Sequence, residues 1–308
     1  NNYLTANRNI GLFSLTTSLV ASALGAWILF GPAAAATWGG IGAVIGYSLG
    51  TAFPMIFLIY LGKKIRTEFP RGSSLIEFMR KKFGKSLFKL VLLMTIFYMF
   101  IFLCAEVTAV AVLINFISGT ELWATALIVL LATLTYTLYG GLRASIFTDN
   151  IQMIVIAVLL LISVIYIFLF TGNEFSFEFV KEKNPQLLSW SYVLSYTAGL
   201  TFFIAVAATN LFRQGNWQGV YAAKDQQTLK KSLIISFFII IPIVFFMGFA
   251  GMVSFSIDPG NRPDLGFFTL LLKEQTELLS LIIVILGLAL TRSTVDTLVN
   301  AISSLFVV

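Results

Sequence analysis

Three residues in the last apolar stretch of this chain have the types and spacing to hold a cation. The run Leu290-Thr291-Arg292-Ser293-Thr294-Val295-Asp296-Thr297 carries Ser293, Asp296 and Thr297 three and four positions apart. On a helix these share one face, which offers two hydroxyls and one carboxylate. Hard oxygens of this kind suit a hard cation such as sodium, and carbonyls freed by a nearby unwound helix would complete its shell. Arg292, four residues before Asp296, offers the alternative of an ion pair along the helix. Glu106 and Asp149 also fall in or beside apolar runs. An ionisable group in hydrocarbon is costly unless paired or wetted, which makes each a functional candidate. Glu106 reads either as a coupling or substrate residue or as a buried partner of Arg292.

Two further places break the uniformity expected of a membrane span. In Ser18-Leu19-Val20-Ala21-Ser22-Ala23-Leu24-Gly25-Ala26-Trp27, small residues lie near the middle of the first apolar run. They make local unwinding cheaper, and they equally serve close helix packing. Farther on, Thr209, Asn210, Arg213, Gln214, Asn216 and Trp217 form one polar cluster. Either the sixth helix ends at Phe212 and a loop follows, or the helix is discontinuous and lines a solute path. Paired interrupted helices in two oppositely oriented halves point to a secondary transporter.

These groups must be positioned by helices in lipid. The chain has 308 residues, 58% of them hydrophobic and 11% charged, with 30 Phe and a mean hydropathy of +0.92. Soluble domains carry about 25% charged residues, and no water-soluble core of this size hides so much apolar surface. A soluble enzyme, a disordered chain and a fibrous protein are excluded. With no His and a lone Cys104, so are zinc sites, Ser-His-Asp triads and disulfide frameworks. The net charge of +6 does not point to nucleic acid, because nine of the 20 basic residues lie between Lys63 and Lys89, beside two apolar runs. Such a cluster marks the cytoplasmic face of a membrane.

Eight apolar stretches are long enough to span: Ile10–Ala33, Trp38–Leu61, Leu87–Ile117, Leu122–Tyr139, Ser145–Phe170, Trp190–Phe212 (to Tyr221 if the polar cluster belongs to it), Ser232–Phe255 and Leu278–Val308. They are too long, and alternate too little, for β-barrel strands, so the fold class is an all-α membrane protein. An inside N-terminus places fifteen Lys and Arg residues inside and four outside, which orients the chain. Pro70-Arg71-Gly72-Ser73 reads as a turn, and Ser74–Phe83 as a surface helix. Gly42, Gly46 and Gly50 form a small-residue face for helix contact, and Pro54 and Pro242 are candidate kinks. The chain begins without Met and stops inside an apolar run, so it reads as a piece of a longer membrane protein.

Three stretches resemble the sodium/solute symporter family. Gly140-Gly141-Leu142-Arg143-Ala144-Ser145-Ile146-Phe147-Thr148-Asp149-Asn150-Ile151-Gln152 is similar to the family's GG-x-x-A-x-x-x-TD-x-x-Q pattern. Ser293-Thr294 resembles the paired hydroxyls of its sodium-binding helix, and Gln218-Gly219-Val220-Tyr221-Ala222-Ala223-Lys224-Asp225 its cytoplasmic Q-R-x-x-A-A-K segment, with Gly219 in place of Arg. The resemblance covers nearly the whole chain. It implies a five-plus-five inverted-repeat, LeuT-like core, truncated at both ends, with residues 1–171 forming the first repeat and 190–308 an incomplete second one.

Carried over position by position, the resemblance implies a main sodium site from the carbonyls of Ala21, Leu24 and Leu290 and the hydroxyls of Ser293 and Thr294. Some members bind a second sodium; the matching positions are Asp149, Ser293, Asp296 and Thr297. Trp27, Ile28, Glu106, Thr209, Asn210, Arg213 and Gln214 are the candidate substrate contacts. Sugar transporters of the family carry polar residues where Ala23, Trp27 and Ile28 stand, so a sugar fits less well than an amino acid, urea or a carboxylate. The expected function is sodium-coupled import of a small polar solute across the plasma membrane, with a cytoplasmic N-terminus. The rival is a membrane-embedded solute-sensing input domain of a signalling protein on the same scaffold. A membrane enzyme lacks a metal-ligand cluster or nucleophile–base pair, and no channel filter is legible.

Overall fold

In a computed structural model of the chain, residues 6–70, 72, 75–273 and 276–305 are described, with the side chains of Asn7, Tyr136, residues 138–141, Arg143 and Ala144 excepted. The ends of the chain and parts of the expected Pro70–Ser73 turn lie outside that set, as does most of the Gly140–Ala144 portion of the motif at the level of side chains. The helices are α1 (Leu12–Ala23), α2 (Gly31–Glu68), α3 (Leu75–Ser118), α4 (Leu122–Thr171), α5 (Phe177–Lys183), α6 (Val193–Phe212), α7 (Gln214–Ala222), α8 (Gln226–Ile257), α9 (Gly266–Leu271) and α10 (Glu277–Leu305). Among the described residues six helical segments are long and apolar enough to cross a membrane, and two shorter apolar ones, Leu12–Ala23 and Leu122–Thr135, accompany them. The fourth and fifth expected spans both fall within the helical stretch α4.

The first two spans divide differently from the sequence reading. Helix α1 stops at Ala23, a short 3-10 turn runs over Ala26–Leu29, and α2 begins at Gly31. Within α2, Gly40 takes φ +54° and ψ −152°, so the boundary placed between Ala33 and Trp38 lies at Gly40 instead. Only glycine adopts this conformation without strain. A Cβ there would also stand 2.3 Å from the Leu187 carbonyl oxygen. Gly84, with φ +83°, separates the expected surface helix from the third span in the same way. Pro54 and Pro242 sit inside α2 and α8, where the helical backbone runs on through them.

Helices α2, α8 and α10 form the buried centre; α3 and α6 expose most of their apolar surface, as helices bathed in lipid should. The glycine face of α2 lies directly on α6. A Cβ on Gly42 or Gly46 would stand 2.1 Å from the carbonyl oxygen of Ser195 or Gly199, and one on Gly50 would stand 2.9 Å from that of Phe202. Backbones therefore touch along this seam, and larger side chains would force the two helices apart.

At the Arg-rich end the start of α1 is zipped to the end of α7. Ile10 N–H donates to the Ala222 carbonyl and Lys224 N–H to that of Ile10, both at 3.1 Å. Arg66, in the last turn of α2, donates to the carbonyls of Val220 and Ala223. These contacts close one end of the bundle beneath the polar centre.

Candidate functional site

The first span is broken at Leu24–Gly25. Leu24 has φ −101° and ψ 73°, Gly25 is extended, and the helix restarts at Ala26. The restart exposes N–H groups that no preceding turn can satisfy. Glu106, on α3 and fully buried, supplies the acceptor: Ala26 N–H donates to its Oε2 at 2.8 Å, and the Trp27 N–H lies near the same carboxylate. A Cβ on Gly25 would stand 2.0 Å from Glu106 Oε1, so the carboxylate reaches the break only because residue 25 has no side chain. Its expected alternative partner, Arg292, is exposed, and the charged neighbour of Glu106 is Arg213 instead. Trp27 stacks on Tyr47 at 5.5 Å, and its indole N–H is buried without a partner; Ile28 is fully buried in the core.

On α10, Leu290, Ser293, Thr294, Asp296 and Thr297 are all buried. Ser293 Oγ donates to the Leu290 carbonyl at 2.9 Å, Thr297 Oγ1 donates to the Ser293 carbonyl at 2.9 Å, and Thr294 Oγ1 has no partner among the described residues. Asp296 accepts from Ser145 Oγ at 3.2 Å and Thr148 Oγ1 at 3.1 Å, both on α4. Asp149, on the same helix, accepts from Ser18 Oγ of α1 at 2.7 Å through Oδ2, while Oδ1 is buried and unpartnered. The two carboxylates are close enough to repel each other. Ser18, Ser22, Ser145 and Thr297 line one small cavity, which brings the broken helix, α4 and α10 together. Hydroxyls, carboxylates and the carbonyls freed at Ala21 and beyond are the donor set a hard monovalent cation takes, and among the described residues the Thr294 hydroxyl and Asp149 Oδ1 have no hydrogen-bond partner to compete with one.

The sixth span is also broken. Helix α6 ends at Phe212, Arg213 is extended with φ −66° and ψ 116°, and α7 begins at Gln214. Donors from the first turn of α7 stitch the gap. Asn216 Nδ2 donates to the Asn210 carbonyl at 2.7 Å and Trp217 Nε1 to that of Leu211 at 2.8 Å. Arg213 is 1% exposed, its guanidinium carbon lies 4.7 Å from the Phe102 ring centre, and none of its three side-chain nitrogens has a hydrogen-bond partner among the described residues. Gln214, equally buried, also has an unpartnered amide. Asn210 is buried, but Thr209 is exposed and spends its hydroxyl on the carbonyls of Ala205 and Val206. The structure thus brings Arg213, Gln214 and Asn210 to the break and leaves Thr209 outside it. A Cβ on Gly215 would stand 2.9 Å from Thr297 Cγ2, so the first turn of α7 rests on the hydroxyl stripe of α10.

Sequence reasoning passed over Ser18, Tyr98, Phe102 and Ser145 as members of this centre. Tyr98, Phe102 and Glu106 recur every four residues on α3, and that stripe was the available signal. Glu106 lies at the first break, Phe102 beneath the guanidinium at the second, and Tyr98 beside it.

Comparison with known proteins bears on the family and the fold. The model described as Sodium:solute symporter family matches residues 3–308. The spermidine transporter DUR31 of Candida albicans is 26% identical over 306 residues, covering 98% of this chain and 58% of that protein. Sodium/glucose cotransporter 1 of Ovis aries is 29% identical over 160 residues, covering 50% of this chain and 23% of that protein. Among solved structures, a substrate-bound, outward-open Na+-coupled sialic acid symporter superposes with a TM-score of 0.82 at 17% identity, over 99% of this chain and 66% of that one. The all-α, LeuT-like fold is therefore shared, and the chain spans under two thirds of the length of these proteins.

Proposed function

Because the chain belongs to the sodium:solute symporter family, we propose that it forms the core of a sodium-coupled symporter importing a small polar organic solute. The observation that carries this reading is a broken first span whose Ser18 and Ser22, just before the break, share one small cavity with Thr297 of α10. In the proposed mechanism sodium binds between α1 and α10, using the carbonyls of Ala21, Leu24 and Leu290 and the hydroxyls of Ser293 and Thr294. A second sodium position uses Asp149, Ser293, Asp296 and Thr297. Solute binds beside them, between the two breaks.

Residues 1–171 and 190–308 act as two repeats of opposite orientation, with the Arg-rich end in the cytoplasm of a cell bounded by this plasma membrane. The zip between Ile10 and Ala222–Lys224, pinned by Arg66, holds that end closed. Inward release then requires these hydrogen bonds to part as the helices rock. Sodium and solute each tighten the other's binding, since coupling between two sites is reciprocal. An inside-negative potential adds about 2.3 kcal/mol per charge for each 100 mV.

The test is uptake of labelled solutes by the full-length protein in proteoliposomes, with and without a sodium gradient. Losing one oxygen ligand worth about 1.4 kcal/mol raises the half-saturating sodium concentration roughly tenfold. Ser293→Ala and Thr294→Ala are each expected to produce that change. Unaltered sodium dependence in both variants would refute the site.

A further inference from the structure

The positive end of a half-helix attracts anions, and the two breaks treat theirs in opposite ways. At the first, the Ala26 N–H is already bonded to the protein's own Glu106 carboxylate. At the second, the start of α7 has no carboxylate cap, and a buried guanidinium stands there with three unpartnered nitrogens.

We propose that the solute carries a carboxylate, and that Arg213, together with the first turn of α7 and the Gln214 amide, is where that carboxylate binds. This rests on the transporter reading above and extends it to a substrate class.

A guanidinium stripped of water without an acceptor is among the costliest groups to bury, so its partner is part of the working state. The neighbouring acids do not fill that role. Glu106 and Asp149 influence Arg213 electrostatically, yet neither forms a hydrogen bond with it. Glu106 Oε2 is engaged at Ala26 and Asp149 Oδ2 at Ser18, and the remaining oxygens, Glu106 Oε1 and Asp149 Oδ1, make no hydrogen bond to the guanidinium. The Phe102 ring holds one face of the guanidinium and leaves its edge of N–H groups free. That planar fork matches a carboxylate with two parallel hydrogen bonds. Gln214 presents an amide from the adjoining residue, 1% exposed and likewise unpartnered. A polyamine would meet this cation with like charge, and an uncharged solute would leave it unpaired.

The experiment uses the full-length protein in proteoliposomes under a sodium gradient. The probes are labelled lactate, pyruvate, alanine and proline, against urea, glucose and spermidine. Sodium-driven uptake of at least one carboxylate is expected, with the matching amide (lactamide, for instance) competing at least tenfold more weakly. Arg213→Gln should weaken apparent affinity for that carboxylate at least tenfold, and Arg213→Lys should restore part of it. Gln214→Glu should block carboxylate uptake by placing a fixed carboxylate where the solute's would sit. Sodium-induced thermal stabilisation without solute should survive in both Arg213→Gln and Gln214→Glu, which also reports that they fold. Sodium-driven uptake confined to urea, glucose or spermidine would overturn this proposal alone. So would unchanged carboxylate affinity in Arg213→Gln and Gln214→Glu, or loss of sodium stabilisation in Arg213→Gln, which would make Arg213 an internal counter-ion. Absence of sodium-driven uptake for every probe would overturn the transport reading and this proposal with it.

Discussion

The first and sixth spans are both interrupted near a common stripe of α3, and they resolve the interruption by different chemistry. At the first, a carboxylate from a distant helix crosses to the restart and takes the Ala26 N–H. At the sixth, two neutral donors, Asn216 and Trp217, fold back one turn and take the carbonyls of Asn210 and Leu211. The first repair satisfies donors and adds negative charge. The second satisfies acceptors and leaves the positive end of α7 next to Arg213. A discontinuity in a membrane helix is therefore not one kind of site. What distinguishes the two is the sign of the charge brought to the gap, and that follows from which half of the broken hydrogen-bond ladder the surrounding side chains repair.

The sharpest way to break this contrast is Gly25→Ala. The new Cβ would stand 2.0 Å from Glu106 Oε1 and within 3 Å of the rest of that carboxylate. The carboxylate must retreat, leaving the Ala26 N–H and a buried charge unsatisfied. Hydrogen bonds to charged groups contribute about 1.5–3 kcal/mol each, so a loss of about 3 kcal/mol of stability is expected, together with sodium-driven uptake. Thermal unfolding in detergent and vesicle uptake check this. Wild-type values in both would show that the first break does not depend on its carboxylate.

A smaller effect is expected from Asn216→Ala. It frees the Asn210 carbonyl at the second break but removes no charge. The expected destabilisation is about 1–2 kcal/mol, from one buried neutral acceptor left unpaired. Uptake should fall without vanishing, because Arg213 and the Trp217 bond to Leu211 remain. A loss as large as that from Gly25→Ala would mean that the two repairs are energetically equivalent, and the charge contrast would lose its force.

How far these breaks could be read beforehand depends on which interactions are local. Gly25 among small residues, and the polar run from Thr209 to Trp217, marked the two positions, because a helix interior rarely tolerates either without cause. The Gly42, Gly46 and Gly50 stripe gave a contact face, and it does meet α6. The repair of the first break was not legible, since Glu106 is 80 residues from Ala26 and only the tertiary fold aims it. Ser18 and Ser145 were silent for a related reason. A lone serine in an apolar helix reads the same whether it bonds its own backbone or a carboxylate across the interface. The division between the first two spans, expected between Ala33 and Trp38, falls at Gly40. The turn depends on φ at Gly40, which composition does not reveal. Pro54 and Pro242 sit within continuous helix, while the non-helical positions are Gly40 and Gly84.

Thr209 tests the limit of the polar cluster as a guide. It is one residue from Asn210, and successive residues on a helix point about 100° apart, so the buried Asn210 and the exposed Thr209 face different surroundings. Its hydroxyl is already shared between the carbonyls of Ala205 and Val206, at 2.8 and 3.1 Å. Thr209→Val keeps the shape and removes that back-bond, which itself contributes little or nothing to helix stability, together with the hydroxyl's contact with Tyr98. Stability should change by no more than about 0.5 kcal/mol. Half-saturating sodium and solute concentrations should match the unmodified protein in the same uptake assay. A tenfold change in solute affinity would place the outer face of α6 in the solute path and move the second break's working surface away from Arg213.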